Sequence, residues 1–155
     1  IDQVKDEEHR SFGLSFSAKV PEKYALRRGE LMEAIKPGFL QDGLNLSALL
    51  SGSLSFFNAP AAAFLTIHES LIPVRLMDIG SYMTYFMLSA ELLGLGSCPI
   101  GYIRGVSDVV MDFFGVPKGY VLELAIALGF KDESKMVNQF RSPRADIQDN
   151  ITILE

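Results

Sequence analysis

The stretch GLGSCPIGYIR, residues 94–104, is the most informative part of this sequence. The glycines at 94 and 96 follow an apolar helical pattern and predict the C-terminal end of a helix. Residues 97–103 then predict a short strand or extended segment. Small residues here would let a ligand approach the backbone closely, and Gly101 leaves its own N–H group unobstructed. From spacing alone, a structural loop is the preferred interpretation, and a ligand loop is the alternative.

A long helix is expected immediately before this stretch, over residues 75–93. Its apolar residues cover more than one face, and we therefore expect it to be buried nearly all round. The residues that make up this pattern are Leu76, Met77, Ile79, Met83, Phe86, Met87, Ala90 and Leu93.

The segments before residue 75 and after residue 104 predict further strands and helices. Ser107 is expected to N-cap a helix that runs through Phe114 and ends before Gly115. The apolar run 121–130 suits a central strand, and the run 61–67, behind an Asn-Ala-Pro turn, suits a buried strand. The alternation of helices and strands indicates an α+β or α/β protein.

The ends of the chain give weaker patterns. Alternating apolar residues predict a short strand over 12–16, and a helix is expected over 22–36, where the Pro-Gly pair that follows would stop it. A second helix is expected over 40–50, followed by a Ser-Gly-Ser loop at 51–53. The β-prone segment 150–154 is expected to pair with a sheet edge of its own or a neighbouring subunit.

Composition excludes several classes of function. The 155 residues are 48% hydrophobic, with a mean hydropathy of +0.22, which favours one domain that buries extra surface against a partner. The net charge of −5 argues against nucleic-acid binding. The apolar stretch 71–96 contains Arg75, Asp78 and Glu91 and is a poor membrane span. No signal peptide is visible in the charged first ten residues.

Metal and hydrolase chemistry are not supported by the residue types present. Cys98 is the single cysteine, which excludes an intramolecular disulfide and a multi-cysteine zinc site and fits a reducing compartment. His9 and His68 are far apart and lack a ligand-like spacing. Walker A, G-x-G-x-x-G and G-x-S-x-G motifs are all missing. We expect Cys98 to be a buried apolar filler rather than a reactive thiol.

Four blocks of the sequence, taken in order, resemble the nitroreductase family. Each block alone is a weak signal, and the four together cover about residues 58–155, while residues 21–57 fit less sharply. The blocks are NAPAAAFLTIHESL (58–71), RLMDIG followed by GLGSCPIGYIR (75–80 and 94–104), DVVMDFFGVPKGYVLELAIALGF (108–130) and FRSPRADIQDNITIL (140–154).

The resemblance implies a fold and an assembly. The fold would be α+β, a three-layer α/β/α sandwich formed by a single domain over 1–155. Two such chains would form an intertwined homodimer, with helix 75–93 in its core and strand 150–154 crossing to the partner. The alternative for that helix is the central helix of a monomer.

The resemblance also implies an FMN site. Arg144, and less closely Arg141, match the C-terminal basic motif that binds the FMN phosphate, which the planar guanidinium suits. No catalytic side chain is expected, because the flavin carries the hydride. The segment implied to lie against the isoalloxazine ring, with a backbone N–H directed at N5, consists of Pro99, Ile100, Gly101 and Tyr102.

The activity implied is hydride transfer from NAD(P)H through FMN to a nitroaromatic, quinone or similar small acceptor in the cytoplasm. The Arg-rich motif that opens the family's FMN site is missing from this sequence. Three explanations stay open, in order of preference. The chain lacks its start, as Ile1 in place of Met suggests; it is a flavin-free member that acts as a dimeric binding or scaffold module; or another polypeptide supplies the missing half.

Overall fold

The computed structural model describes residues 21–72, 74–149 and 151–153 of the chain. These residues form two compact units, which are treated separately below. The first contains residues 47–131, and the second combines residues 21–46 with the C-terminal residues from 132 onward. The strand expected over 12–16 lies outside the described residues.

The first unit is built on a three-stranded antiparallel sheet. Its strands are β1 (Ala61–His68), β2 (Gly96–Ile100) and β3 (Tyr120–Gly129), and their order is β1-β3-β2. The two strands expected at 61–67 and 121–130 are therefore confirmed, and the second is central as expected. Helices combined with an antiparallel sheet confirm the α+β class.

The core of this unit lies where β3 meets the helical segment that follows β2. That segment is a 3₁₀ turn (Tyr102–Val106) running directly into helix α4 (Ser107–Phe113). Ile103 is 0% exposed, and burial of such a side chain contributes about 1.5–3 kcal/mol. The buried cluster consists of Ile100, Ile103, Val106, Val110, Leu122, Ala125 and Ala127.

Helix α4 does not begin as the sequence suggested. Ser107 was expected to be the N-cap, but it has helical dihedral angles, φ −54° and ψ −45°, and Val106 is the cap. An N-cap residue must have non-helical angles for its side chain to reach back to the first N–H groups. The expected N-cap is wrong because Val106, with φ −127° and ψ 26°, is the last non-helical residue before α4, and Ser107 already belongs to its first turn.

Helix α3 (Leu76–Leu92) confirms the long helix expected before β2. Gly94 takes φ +75°, the left-handed conformation that commonly follows a helix end. Burial nearly all round is wrong for the single chain, since Ala90 is the buried residue of this helix. The large apolar side chains that α3 exposes are Leu76, Met77, Tyr82, Tyr85, Leu88 and Leu92.

The second unit contains helix α1 (Glu22–Gln41), which continues through Pro37. Ending this helix before the proline was a wrong expectation. Although a proline removes one backbone donor, the extra turn brings Phe39 into a buried position. The helix ends instead at Gln41, with Asp42 as its C-cap. Gly43 follows at φ +70°, and the N–H of Leu44 donates to the Phe39 carbonyl at 2.8 Å.

Helix α2 (Leu46–Leu54) is displaced toward the C-terminus relative to the expected 40–50. The Ser-Gly-Ser sequence lies inside it and is not a loop. The hydroxyl of Ser53 donates to the Leu49 carbonyl at 2.8 Å, and that of Ser51 donates to the Ser47 carbonyl at 3.2 Å. These serines satisfy their hydroxyl groups on the preceding helical turn and so remain compatible with the helix.

The C-terminal part of the second unit is mostly irregular. Helix α5 (Met136–Gln139) has four residues, and a 3₁₀ turn covers Ile147–Asp149. The strand expected over 150–154 is not formed by the described residues 151–153, which have no regular structure. A β-prone segment forms a strand only when a sheet edge pairs with it.

Candidate functional site

The segment from Pro99 to Tyr102 forms an exposed turn above a buried support. Ile100, the last residue of β2, is 2% exposed and pairs with Ala125 of the central strand. Gly101 is exposed, and a Cβ at this position would meet no atom within 4 Å. Buried side chains on both sides of the turn therefore fix its backbone, while its outer surface remains open to a ligand.

The strand expected over 97–103 is confirmed only in part. Strand β2 ends at Ile100, and the chain then turns into the 3₁₀ segment that begins at Tyr102. The N–H of Arg104 donates to the carbonyl of Gly101 at 3.2 Å and closes this turn. Gly101 thus lies where the chain leaves β2 for the 3₁₀ segment, a position that suits the close approach of a ligand.

A charged pair lies directly after the turn. The guanidinium of Arg104 is 3.8 Å from the carboxylate of Glu123, whose side chain is 11% exposed. Glu123 is the extra residue of a β-bulge, because Leu65 pairs with Leu124 and the next residue, Thr66, pairs with Leu122. This pair could not be predicted from the sequence, because a bulge leaves no signal in the spacing of apolar residues.

Cys98 lies on β2, and its expected burial as a filler is wrong, since the residue is exposed. Atoms packed around the sulfur nevertheless desolvate it and raise the pKa of the Cys98 thiol. A raised pKa keeps the group as a neutral thiol at neutral pH, whereas the thiolate is the nucleophilic form.

Arg141 and Arg144 lie together in the exposed segment that follows α5. Arg141 Nη1 donates to the carbonyls of Phe140 at 3.0 Å and Asn138 at 3.4 Å. Arg144 Nη1 donates to the Ser142 carbonyl at 3.1 Å and also bonds the Ser142 hydroxyl. Both guanidinium groups are therefore held against nearby backbone, with their remaining N–H groups at the surface.

The structure collects the six expected site residues into two groups. Residues 99–102 form one turn in the first unit, and the two arginines form one segment in the second unit. Asp42, whose side chain binds the start of α5, was not among the expected site residues. In the sequence, Asp42 lies within the helix expected over 40–50, and no local pattern indicates its contact with residues 136 and 137.

Metal ligation and membrane insertion gain no support from the described part of the chain. Residues 21–72, 74–149 and 151–153 contain no group of three or more His, Cys, Asp and Glu side chains able to hold a metal ion. His68 instead accepts the N–H of Ser70 at its Nδ1 and packs edge-on against Tyr120. Among the described helices, none combines the length and the apolarity needed to cross a membrane.

Comparison with known proteins identifies the family. The profile of the nitroreductase family matches residues 4–130, more than half of the chain. The chain belongs to the nitroreductase family. The match extends further toward the N-terminus than the four quoted blocks, and it includes the turn at 99–102. It ends before Arg141 and Arg144, so the role of these two residues remains a prediction.

Nitroreductase relatives with curated names resemble part of the chain. The 4-nitrobenzoate reductase of Pseudomonas putida is 31% identical over 98 residues, which are 63% of this chain and 43% of that protein. Nitroreductase NfnB of Mycolicibacterium smegmatis is 31% identical over 97 residues, 63% of this chain and 41% of that protein. The aligned parts thus span less than half the length of these curated relatives.

Solved structures confirm the nitroreductase-like fold. The FMN-dependent nitroreductase NfnB from Mycobacterium smegmatis, solved in complex with NADPH, matches with a TM-score of 0.82 and 25% identity. The match covers 96% of this chain and 68% of that one. The FMN and NADPH-dependent NfnB from Sphigopyxis sp. strain HMH matches with a TM-score of 0.80 and 23% identity, over 88% and 62% of the two chains.

Proposed function

We propose that this chain is a nitroreductase-like domain of an FMN-dependent oxidoreductase of the cytoplasm. The enzyme would take hydride from NAD(P)H and pass it to a nitroaromatic, a quinone or a similar small acceptor. Membership of the nitroreductase family, together with curated relatives named for the reduction of nitro compounds, supports this activity. The net charge of −5 favours a small molecule over a nucleic acid as the partner.

The observation that carries the proposal is the exposed turn at 99–102 on its buried support. A planar ring system needs a fixed backbone that it can approach closely, and Gly101 provides open space for this, since a Cβ there would meet no atom within 4 Å. The buried side chains of Ile100 and Ile103 hold this surface in place. When bound, FMN would supply the hydride chemistry. The residues of the turn would bind and orient the ring.

Arg141 and Arg144 suit the phosphate group of FMN. Both are exposed, and a guanidinium can donate two parallel hydrogen bonds to a phosphate. Their present hydrogen bonds go to neighbouring carbonyl and hydroxyl groups. A phosphate dianion would replace these neutral acceptors by charged ones, and it can accept two parallel hydrogen bonds from one guanidinium, which favours binding.

A homodimer belongs to the same proposal. Helix α3 exposes Met77, Tyr82, Tyr85 and Leu88 in the single chain, and Leu92 is exposed at its last position. Apolar side chains around so much of a helix are typical of a surface that a second subunit buries. We therefore assign the all-round apolar pattern of α3 to the core of a dimer.

A titration of the purified protein with FMN tests the proposal. Bound flavin gives a visible absorption spectrum and loses fluorescence, and turnover is followed as oxidation of NAD(P)H by 4-nitrobenzoate or a quinone. A colourless protein that FMN cannot reconstitute would refute the oxidoreductase function for this chain. It would then favour the flavin-free binding or scaffold module that the sequence left open.

Replacement of Arg144 by Ala tests the phosphate contact. A hydrogen bond to a charged group contributes about 1.5–3 kcal/mol, so Arg144→Ala should weaken FMN binding about tenfold or more. Arg27→Ala is the matched control, because it removes the same charge from an exposed position on α1 of the same unit. Equal FMN dissociation constants for the two variants would remove Arg144 from the site.

A further inference from the structure

The end of α1 and the start of α5 are joined by one side chain, that of Asp42. Its Oδ1 accepts the N–H of Met136 at 2.9 Å, and its Oδ2 accepts the N–H of Val137 at 2.8 Å, across 94 and 95 positions of sequence. A helix of four residues is too short to be stable alone. Asp42 satisfies two of the N–H groups that lack a partner within the helix.

The backbone N–H groups of α5 stabilise the charged form of the Asp42 carboxylate. The hydrogen bond from the N–H of Val137, and then that from Met136, lower the pKa of Asp42 below its ordinary value. The charge of Lys135 lowers it further, whereas partial desolvation and the charge of Asp132 oppose the shift. The carboxylate is therefore ionised at neutral pH, and both hydrogen bonds are charge-assisted.

The position of α5 sets the start of the segment that carries the two arginines. Arg141 Nη1 donates a hydrogen bond to the carbonyl of Asn138, in the last turn of α5, at 3.4 Å. It donates a second one to the carbonyl of Phe140, just after α5, at 3.0 Å. α5 also packs closely on α1, since the backbone of Val137 lies 3.5 Å from where a Cβ of Gly38 would be. A chain of contacts thus leads from Asp42 through α5 to Arg141.

We propose that Asp42 is a positioning residue for the arginines that bind the FMN phosphate. Its carboxylate fixes α5 on α1, and α5 fixes the point from which Arg141 and Arg144 extend. Asp42 acts through backbone N–H groups and contacts no ligand itself. This inference rests on the proposed function, because it requires that the two arginines meet the phosphate.

Asp42→Asn is the decisive variant, because an amide keeps the shape of the side chain but has a single acceptor oxygen. One N–H of α5 then loses its acceptor. We expect faster hydrogen exchange at the amides of Met136 and Val137. We also expect the FMN dissociation constant to rise about tenfold. This factor applies if only about a tenth of the variant molecules keep the arginine segment in the binding position. Asp42→Glu, which restores two acceptor oxygens, should recover most of the affinity.

Asp132→Asn is the matched control. Asp132 is an aspartate of the same unit whose Oδ1 accepts the N–H of Ser134 at 3.0 Å and its hydroxyl at 2.6 Å, in a local turn. The variant removes the same charge but leaves the contact between Asp42 and α5 intact. It should keep the FMN dissociation constant within about twofold of wild type, well below the effect of releasing the segment.

The outcomes separate the two claims. If the wild-type chain binds no FMN, the proposed function fails, and the role of Asp42 fails with it. If wild type binds FMN and Asp42→Asn binds it equally well despite faster exchange in α5, the positioning role is wrong while the proposed function stands. Equal weakening in Asp42→Asn and Asp132→Asn would show that the contact between Asp42 and α5 is not what holds the arginines, because loss of a negative charge by itself favours binding of an anionic phosphate, and it would also overturn the inference.

Discussion

Replacement of Gly129 by Ala tests the packing at the end of the central strand. A Cβ built on Gly129 would lie 2.8 Å from Cδ and 3.5 Å from Cγ of Pro60, the residue that precedes β1. Carbon atoms in favourable contact are about 3.5–4.0 Å apart, so the overlap is at least about 0.7 Å. Because Cδ of a proline is bonded to the backbone nitrogen, the clash can be relieved only if the turn before β1 moves.

The magnitude follows from two opposing effects. Overpacking of this kind costs about 1–3 kcal/mol, and the lower entropy of an unfolded chain with Ala in place of Gly returns about 0.4–1 kcal/mol. We expect Gly129→Ala to lose about 1–2 kcal/mol of unfolding free energy. In a chain of this size, that corresponds to a fall in Tm of about 2–8 °C.

The control is Gly105→Ala, in the 3₁₀ turn of the same unit. A Cβ at Gly105 would meet nothing within 4 Å, and its φ is not in the left-handed region. This variant should therefore be as stable as wild type or more stable by up to about 1 kcal/mol. Thermal and urea unfolding followed by circular dichroism would measure both variants.

Pro60→Ala completes the test as a double-mutant cycle. The variant removes Cδ and Cγ of the ring, so the cost of Gly129→Ala should largely disappear in its background. The coupling free energy should be about 1–3 kcal/mol. The reasoning is refuted if Gly129→Ala is as stable as Gly105→Ala, or if its cost persists unchanged when the proline ring is absent.

Three further predictions concern other parts of the two units. Ile103→Ala should lose about 2–5 kcal/mol of unfolding free energy. The control Ile153→Ala, at a position 85% exposed, should change this free energy by at most about 0.5 kcal/mol. Similar losses in the two variants would contradict the buried position of Ile103. The pKa of Asp42 is lowered by its hydrogen bonds from α5, so its stabilising contribution is complete above the ordinary aspartate pKa and is lost as the pH falls through the lowered one. Urea unfolding of wild type and Asp42→Asn over a pH series should show a constant difference near neutrality that closes in strong acid, and a difference that widens on acidification would show the wrong sign. Arg104→Met should be less stable than the double variant Arg104→Met/Glu123→Gln, because the single change leaves a mostly buried carboxylate unpaired. If urea unfolding showed the double variant to be the less stable one, the ion pair would not be needed to accommodate Glu123.

The sequence predicted the features that depend on neighbouring residues. The strands at 61–67 and 121–130 and the helix before Gly94 all follow from runs of apolar residues bounded by glycine or proline. Those signals act within a few residues, because backbone dihedral preferences and turn chemistry are local. The turn at 99–102 was not predicted in this way, because an extended segment was expected over 97–103 and strand β2 ends at Ile100.

Features that depend on residues distant in the sequence could be seen only in the tertiary structure. Helix α1 continues past Pro37, and the additional turn buries Phe39. In helix α3, large apolar side chains stay exposed because no other described segment of the single chain packs over them. Burial depends on what packs from elsewhere, which apolar periodicity alone does not specify.

The sequence by itself determined the family and the α+β class, and its resemblance to that family implies that residues 99–102 face the flavin. The tertiary structure alone decided that Glu123 turns toward Arg104 at a bulge and that Asp42 binds the start of α5. The bulge appears only in the register between β1 and β3. The Asp42 contact joins residues 94 and 95 positions apart. Neither depends on local preference, since each requires two segments to be brought together by the packing of the whole unit.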